Sequence, residues 1–284
     1  MRCSFSFPFA IACLTSHLAR LVSCQALGTT VSLSDGLLVG SPRDVNGVLS
    51  FKGIPYAAPP VGGLRWRSPS PVPPRNAILN ATHFGNSCWS FLNIAPPPTP
   101  QSEDCLTANI WTGASQAGEK LPVMVWIYGG GFQFGSSAEP RYDGSMLATQ
   151  GVVLVSFNYR VGALGFLALS ELDKEGPHPS GNFGLQDQLF LLHWVRSNIA
   201  AFGGDPDNIT IFGESAGAHA VGLLVSSPLS IGLFHKAILE SGAFWDAEHG
   251  SMPTFAEARQ LGSALVNKLA ATLLQPFAVC QPSI

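Results

Sequence analysis

The chain has 284 residues, of which 46% are hydrophobic and 12% are charged, and its net charge at pH 7 is −3. The charged fraction is about half of the ~25% typical of soluble domains, so we expect strands buried on both faces, as in a helix-covered parallel sheet. The 15 basic residues are scattered among 18 acidic ones. Because a nucleic-acid-binding protein needs a basic cluster, this distribution excludes nucleic acid as the expected partner.

The first 26 residues have the pattern of a secretory signal. Arg2 precedes an almost wholly apolar run at 5–14, and small residues surround Ala26. The apolar run is too short to span a bilayer, so we predict a signal peptide at 1–26 and no integral membrane segment. An N-terminal anchor is the alternative. The signal predicts a secreted, extracellular protein.

Three of the six cysteines, Cys88, Cys105 and Cys280, lie beyond the predicted signal. Secretion allows a bridge between Cys88 and Cys105, which would close a proline-rich loop, and leaves Cys280 without a partner. Glycosylation sequons begin at Asn80 and Asn208. The second sequon leads into a strand that we expect to be buried, so Asn80 is the predicted acceptor.

The N-terminal part of the chain reads as short strands followed by a proline-rich segment. Alternating apolar residues with Asp-Gly and Asn-Gly turns predict antiparallel strands at 31–33, 37–39 and 48–54. Proline prevents residues 55–74 from pairing deep inside a sheet, so we expect this segment to wrap the surface. We expect Trp66 within it to fill a small satellite core.

From residue 121 onward, buried strands and helices alternate. Continuous apolar runs predict strands, and apolar residues three and four apart predict helices. The predicted strands are 123–128, 152–159 and 236–240, and the predicted helices are 185–201 and 254–270, with the Gly-Gly-Asp-Pro sequence at 203–206 ending the first helix. Such alternation is typical of an α/β fold with a mostly parallel sheet flanked by helices.

Residues 208–217 read as a strand, a sharp turn and a helix. A β-branched and aromatic strand at 209–212 leads into the G-x-S-x-G pattern at 213–217, and a helix is predicted at 216–225. This context predicts a nucleophile elbow with Ser215 at its bend, in a strained backbone conformation and with an exposed hydroxyl. Gly213 and Gly217 are predicted to be required because larger side chains would collide with the crossing strand and helix.

A serine hydroxyl needs a base, a carboxylate that orients the base, and donors for the oxyanion formed on attack. The three glycines at 129–131 directly follow the strand at 123–128. Their backbone N–H groups, together with that of Ala216, can form an oxyanion hole. A flexible turn after the strand is the alternative interpretation.

Six motifs occur along the chain from residue 31 to about residue 270. They are FKGIPYA at 51–57, EDCLTANIW at 103–111, WIYGGGF at 126–132, NYR at 158–160, GNFGLQDQ at 181–188 and FGESAG at 212–217. In this order they resemble the type-B carboxylesterase family, which includes cholinesterases and fungal lipases and has the α/β-hydrolase fold. The resemblance implies Ser215 as nucleophile, Gly130, Gly131 and Ala216 as oxyanion donors, and Cys88–Cys105 as a disulfide.

The resemblance also implies a carboxylic ester, small or lipid, as substrate. It assigns residues 27–272 to a truncated family domain and leaves 273–284 as a tail without a family pattern. Family members are roughly twice this length, and their triad acid and histidine lie in a region that this chain lacks. The sequence contains no metal-ligand spacing, phosphate loop or dinucleotide fingerprint, so no cofactor is expected.

Local histidines are weak substitutes for the missing base. His219 follows Ser215 by one helical turn and is expected to pack or face solvent, and His235 is expected to face solvent before a strand. His249 follows the strand at 236–240 and emerges at the appropriate edge of a parallel sheet. The resemblance gives Glu214 a bracing role below the site. A non-catalytic binding module, an inactive fragment, or a peptidase or acyltransferase on the same fold are the competing interpretations.

Overall fold

The computed structural model describes residues 26–92, 96–175, 179–242 and 253–273. The strands are β1 Thr30–Leu33, β2 Gly36–Val39, β3 Leu49–Pro55, β4 Leu79–Asn80, β5 Ser87–Cys88, β6 Gln101–Ser102, β7 Thr107–Thr112, β8 Leu121–Ile127, β9 Val153–Phe157, β10 Gly204–Glu214 and β11 Lys236–Glu240. The α-helices are α1 Ser145–Ala148, α2 Gly162–Phe166, α3 Phe183–Asn198, α4 Ala216–Ser226 and α5 Phe255–Leu273. Residues 1–25 of the predicted signal, residues 274–284 of the predicted tail, His249 and Cys280 lie outside the described residues.

A six-stranded sheet with the order β11-β10-β8-β9-β7-β3 forms the centre of the fold. The four strands β11, β10, β8 and β9 are parallel to one another. Strand β7 is antiparallel to both β9 and β3, so β7 alone of these six runs against the others. This confirms the predicted mostly parallel sheet and its antiparallel N-terminal portion.

The two faces of the sheet are packed differently. On one face, Val125 of β8 and Ile211 of β10 are fully buried together with Leu191 of α3 and Val221 of α4. Burying aliphatic side chains of this size stabilises a fold by about 1.5–3 kcal/mol each. On the other face, a smaller cluster around Trp111 includes the half-buried Phe212. The apolar runs of the strands thus have partners on both faces, as the low charge fraction predicts.

Two predictions about the chain path were wrong in detail. The elbow strand β10 begins at Gly204, not at residue 209, because Gly204 already pairs with Leu121 and the next pair is Ile209 with Val123. The residues between them bulge out of the ladder. Trp66 does not fill a satellite core: it is half-buried, and its indole Nε1 donates to the carbonyl of Ala163 at 3.0 Å.

The predicted disulfide is present between Cys88 and Cys105, whose Cα atoms lie 5.0 Å apart. Both cysteines are buried, and the bridge holds β5 close to the entrance of β7. The two sequons differ as expected. Asn80 is exposed, whereas Asn208 is half-buried at β10 and its side-chain oxygen accepts a hydrogen bond from Lys236 at 2.5 Å.

Helix α5 docks against the loop after α2. A Cβ added to Gly262 would lie 2.1 Å from the carbonyl oxygen of Ala168, so the helix approaches this loop as closely as a glycine permits. Arg259 forms an ion pair with Asp173, which also accepts a hydrogen bond from the amide of Ser180 at 2.7 Å. Desolvation raises the pKa of Asp173, but these hydrogen bonds and the guanidinium charge outweigh it and lower the pKa. In the described ranges, no helix is both long and apolar enough to cross a membrane.

Candidate active site

Ser215 occupies the bend between β10 and α4. Its backbone has φ 55° and ψ −125°, a region that residues with a side chain rarely adopt. The sharp turn is held by the Ser215 amide, which donates to the carbonyl of Glu240 on β11 at 3.0 Å. The strained conformation predicted for this serine is confirmed, and the residue remains partly exposed.

The two flanking glycines are required for steric reasons. A Cβ on Gly217 would lie 2.0 Å from the carbonyl oxygen of Ile127, and one on Gly213 would lie 2.6 Å from the main chain of Gly217. Real Cβ atoms do not approach other atoms this closely. The helix therefore crosses the strand at a distance that excludes any side chain, as the motif predicts.

Parallel pairing of β8 and β10 brings the glycine loop to the elbow. Ile127, the last residue of β8, is in register with Gly213. The loop begins two residues later: a Cβ on Gly129 would lie 3.0 Å from Cβ of Ser215. The two motifs, more than 80 residues apart in the sequence, thus meet at one edge of the sheet.

The glycine loop is tightly turned. Gly130 and Gly131 have φ values of 103° and 59°, which glycine adopts without steric cost. The carbonyl of Gly130 accepts from the amide of Gln133 at 3.0 Å, and the carbonyl of Phe132 accepts from the amide of Gly162 at 2.6 Å, which ties the loop to α2. Within the described ranges, the amides of Gly130, Gly131 and Ala216 donate no hydrogen bond. Their convergence on one oxyanion stays a prediction.

His219 does not contact the Ser215 hydroxyl. Its Nδ1 lies 3.0 Å from the carbonyl oxygen of Ser215, one helical turn earlier, and its ring is half-buried against the elbow. A Cβ on the neighbouring Gly242 would lie 3.2 Å from the same nitrogen. The ring therefore braces the start of α4, in agreement with its predicted packing role.

His235 lies at the opposite end of the elbow strand. Its exposed ring accepts a hydrogen bond from the amide of Ile209 through Nδ1 at 3.0 Å. Ile209 precedes Glu214 by five residues, or about 16 Å of extended strand. This histidine therefore accepts the hydrogen bond of the Ile209 amide and lies far from Ser215.

Three aromatic rings pack together next to the glycine loop, and the sequence analysis did not single them out. Oε2 of Glu214 would be 3.2 Å from a Cβ on Gly129, which agrees with a bracing role for Glu214. Next to it, the Trp126 ring contacts the rings of Tyr142 at 5.2 Å and Phe212 at 4.9 Å. Burial raises the pKa of Tyr142, and the charge of Glu214 contributes in the same direction. Trp126 and Phe212 lie in two of the six motifs, WIYGGGF and FGESAG, but neither residue was given a role of its own.

A buried ion pair supports the loop from behind. Arg160 donates to Asp187 through its amide at 3.0 Å, through Nε at 2.8 Å and through Nη2 at 2.6 Å. Arg160 is 4% exposed and Asp187 is 0% exposed. Burial by itself lowers the pKa of Arg160, but the charge and hydrogen bonds of Asp187 raise it. The pair fixes the chain just before Gly162, whose amide holds the glycine loop.

Comparison with known proteins identifies relatives of this arrangement. The model of the carboxylesterase family matches residues 28–270. Fumonisin B1 esterase of Sphingopyxis macrogoltabida is 52% identical over 206 residues, which cover 71% of this chain and 38% of that protein. Cholinesterase of Mus musculus is 45% identical over 252 residues, 81% of this chain and 41% of that protein.

A solved structure of PNB esterase has the same fold, with a TM-score of 0.77 and 42% sequence identity over 86% of this chain and 49% of that one. The likeness at this level of identity establishes the α/β-hydrolase fold for the described sheet and helices. The chain spans about two fifths of the length of the two esterase relatives and about half of the solved structure.

Proposed function

The chain belongs to the carboxylesterase family, and on that premise we propose that it supplies the nucleophile and the oxyanion site of a serine esterase that hydrolyses small or lipid carboxylic esters. The observation that carries the proposal is the strained bend of Ser215, at φ 55°, beside a glycine loop in which the amides of Gly130 and Gly131 donate no hydrogen bond to any described residue. A serine hydroxyl at such a bend, next to backbone amides that can bind an oxyanion, is the arrangement that attack on a carbonyl carbon requires.

In the proposed reaction, the Ser215 oxygen attacks the ester carbonyl while a base removes its proton. The tetrahedral oxyanion accepts hydrogen bonds from the amides of Gly130, Gly131 and Ala216. As it collapses, the protonated base gives its proton to the leaving oxygen, which departs as the alcohol and leaves an acyl-serine. Water then attacks the acyl carbonyl and releases the acid. Each oxyanion donor contributes about 10²–10³ in rate in enzymes where one has been removed.

We assign no residue in the described part of the chain as the base of this mechanism. His219 and His235 bind main-chain groups rather than the Ser215 hydroxyl. This observation favours the second candidate function, a chain that binds esters on the same scaffold without hydrolysing them. It also leads us to propose that the 284 residues alone have no serine-dependent turnover.

We further propose that the protein is secreted, with a signal at 1–26, a domain at 27–272 and a glycan on Asn80. Asn80 is exposed, and its Oδ1 accepts hydrogen bonds from the amide and hydroxyl of Thr82, so the sequon lies in an open turn. The Cys88–Cys105 disulfide supports the same compartment, because disulfides persist where the environment is oxidising.

A test with p-nitrophenyl acetate separates the candidates. Without additives, the chain should hydrolyse it no faster than a Ser215→Ala control, since losing triad members costs about 10⁴ to 10⁶ in rate. Added imidazole can act as the missing general base, and peptide mass spectrometry should then find acetyl on Ser215 but none in the control.

The other outcomes are equally informative. A burst of nitrophenol without imidazole, abolished by Ser215→Ala in a soluble preparation, would show that His249 or another local base completes the site. No acetyl on Ser215 even with imidazole would contradict the esterase proposal and favour a binding scaffold.

A further inference from the structure

The ring of His219 binds the backbone of the residue that carries the proposed nucleophile. Its Nδ1 lies 3.0 Å from the carbonyl oxygen of Ser215. A carbonyl oxygen can only accept a hydrogen bond, so Nδ1 carries the proton and the ring is the donor. The main-chain amide of His219 also donates to this oxygen at 3.0 Å, as the first turn of α4 requires. The Ser215 carbonyl therefore accepts two hydrogen bonds, and the second of them depends on the side chain at position 219.

This carbonyl belongs to the same peptide unit as the amide of Ala216. The peptide bond between Ser215 and Ala216 is trans, and because a trans peptide is planar, its C=O and N–H groups point in opposite directions. A group that fixes the direction of the Ser215 carbonyl therefore also fixes the direction of the Ala216 N–H. That N–H is one of the three proposed oxyanion donors, and it donates no hydrogen bond to any residue that the structure describes.

We infer that His219 is a positioning residue for the oxyanion site, an inference that rests on the esterase function proposed above. Its ring holds the Ser215 carbonyl on one side of the peptide, so that the Ala216 N–H on the other side stays directed toward the oxyanion. The same hydrogen bond polarises the peptide, since hydrogen bonds in a chain strengthen one another. The Ala216 N–H is therefore a stronger donor with the ring in place than without it.

The bend needs this support because its backbone is strained. Ser215 has φ 55° and ψ −125°, and a residue in such a conformation keeps it only when its surroundings hold it there. The Ser215 amide is held by the carbonyl of Glu240 on β11 at 3.0 Å, and the Ser215 carbonyl is held by His219. A Cβ on Gly242 would lie 2.7 Å from the Ser215 oxygen and 3.2 Å from Nδ1 of His219. The chain after β11 thus lies directly against this hydrogen bond.

Three substitutions at position 219 separate the hydrogen bond from the bulk of the ring. His219→Phe keeps an aromatic ring and His219→Leu keeps an apolar side chain, but neither can donate to the Ser215 carbonyl. His219→Asn retains an N–H donor at the position of Nδ1. His193→Phe is the matched control, because His193 is an exposed histidine on a different helix, α3. Far-UV circular dichroism verifies that each variant is folded, and His219→Leu decides the test if His219→Phe does not fold.

The rate at which p-nitrophenyl acetate acetylates Ser215 in the presence of imidazole measures the effect. His219→Phe and His219→Leu should slow acetylation by roughly 10- to 100-fold, which is less than the 10²–10³ that the loss of a whole oxyanion donor costs. His219→Asn and His193→Phe should react like the unmodified chain. A residue that only packs against the elbow would not be rescued by asparagine, because asparagine restores the donor but not the ring.

The outcomes separate this inference from the function on which it rests. No acetyl on Ser215 of the unmodified chain would contradict the esterase proposal and overturn this inference with it. Acetylation of the unmodified chain and of folded His219→Leu at the same rate would overturn the positioning role alone. A rate in His219→Asn as low as that in His219→Leu would also overturn it.

Discussion

Replacing Asp187 by Asn tests how the fold supports the glycine loop. The change keeps the size of the side chain but removes the charge that faces Arg160. The guanidinium, 4% exposed, is then left in the interior without its counter-charge, and the amide nitrogen of Asn replaces one of two oxygens that accept hydrogen bonds from it. The variant therefore isolates the cost of an unpaired buried charge.

The size of the effect follows from burial. Removing one partner of a buried ion pair costs about 3–5 kcal/mol, against a total stability of about 5–15 kcal/mol for a typical domain. For a domain of about 150–250 residues, each kcal/mol shifts the melting temperature by about 2–4 °C. Asp187→Asn should therefore lower the melting temperature by roughly 6–20 °C.

Urea denaturation followed by far-UV circular dichroism measures the change, with Asp207→Asn as the matched control. Asp207 pairs with Arg196, but it is 73% exposed, and such surface pairs contribute about 0–1 kcal/mol. The denaturation midpoint should fall strongly for Asp187→Asn and little for Asp207→Asn. Equal, small shifts in the two variants would refute the claim that the buried pair supports the site.

Three further predictions concern the elbow, the disulfide and α5. Gly217→Ala should lower the melting temperature by about 2–12 °C, because overpacking costs about 1–3 kcal/mol, whereas Gly63→Ala, with nothing within 4 Å of the added Cβ and no positive φ, should change it little. Removing the bridge by Cys88→Ser and Cys105→Ser should lower the free energy of unfolding by about 3 kcal/mol, given the 17-residue separation; an unchanged urea midpoint would contradict this. Asp173→Asn should lower the melting temperature at pH 7. Since the pKa of Asp173 is depressed in the folded state, the difference in melting temperature between the variant and the unmodified chain should vanish as the pH falls below about 4 and through that pKa. A difference that persists in acid would contradict the assignment.

The parts of the fold that follow from local patterns could be predicted from the sequence. Continuous apolar runs located β8 and β9 to within two residues at either end, and the G-x-S-x-G pattern located the bend at Ser215. The bulge in β10 could not be predicted, because it depends on how Gly204 meets Leu121 on a strand far away in the sequence.

The support behind the site was also beyond sequence reasoning. Arg160 and Asp187 lie in separate motifs, 27 residues apart, and their pairing depends on how α3 packs against the chain after β9. Trp66 was wrongly expected to fill a small core. Its large apolar side chain favours burial, but the sequence does not show which residues surround it. Its indole N–H binds a main-chain carbonyl of α2 instead.

The central claim is that Ser215 and the glycine loop form one oxyanion site, and a crystal structure of the chain with an alkyl boronic acid tests it most directly. A boronic acid adds reversibly to a serine oxygen and forms a tetrahedral adduct without a leaving group. We expect boron bonded to Oγ of Ser215, with one boronate oxygen about 2.7–3.1 Å from the amide nitrogens of Gly130, Gly131 and Ala216. An adduct whose oxygens all point away from these amides, or no adduct at Ser215 under saturating boronic acid with imidazole present as the base, would contradict it.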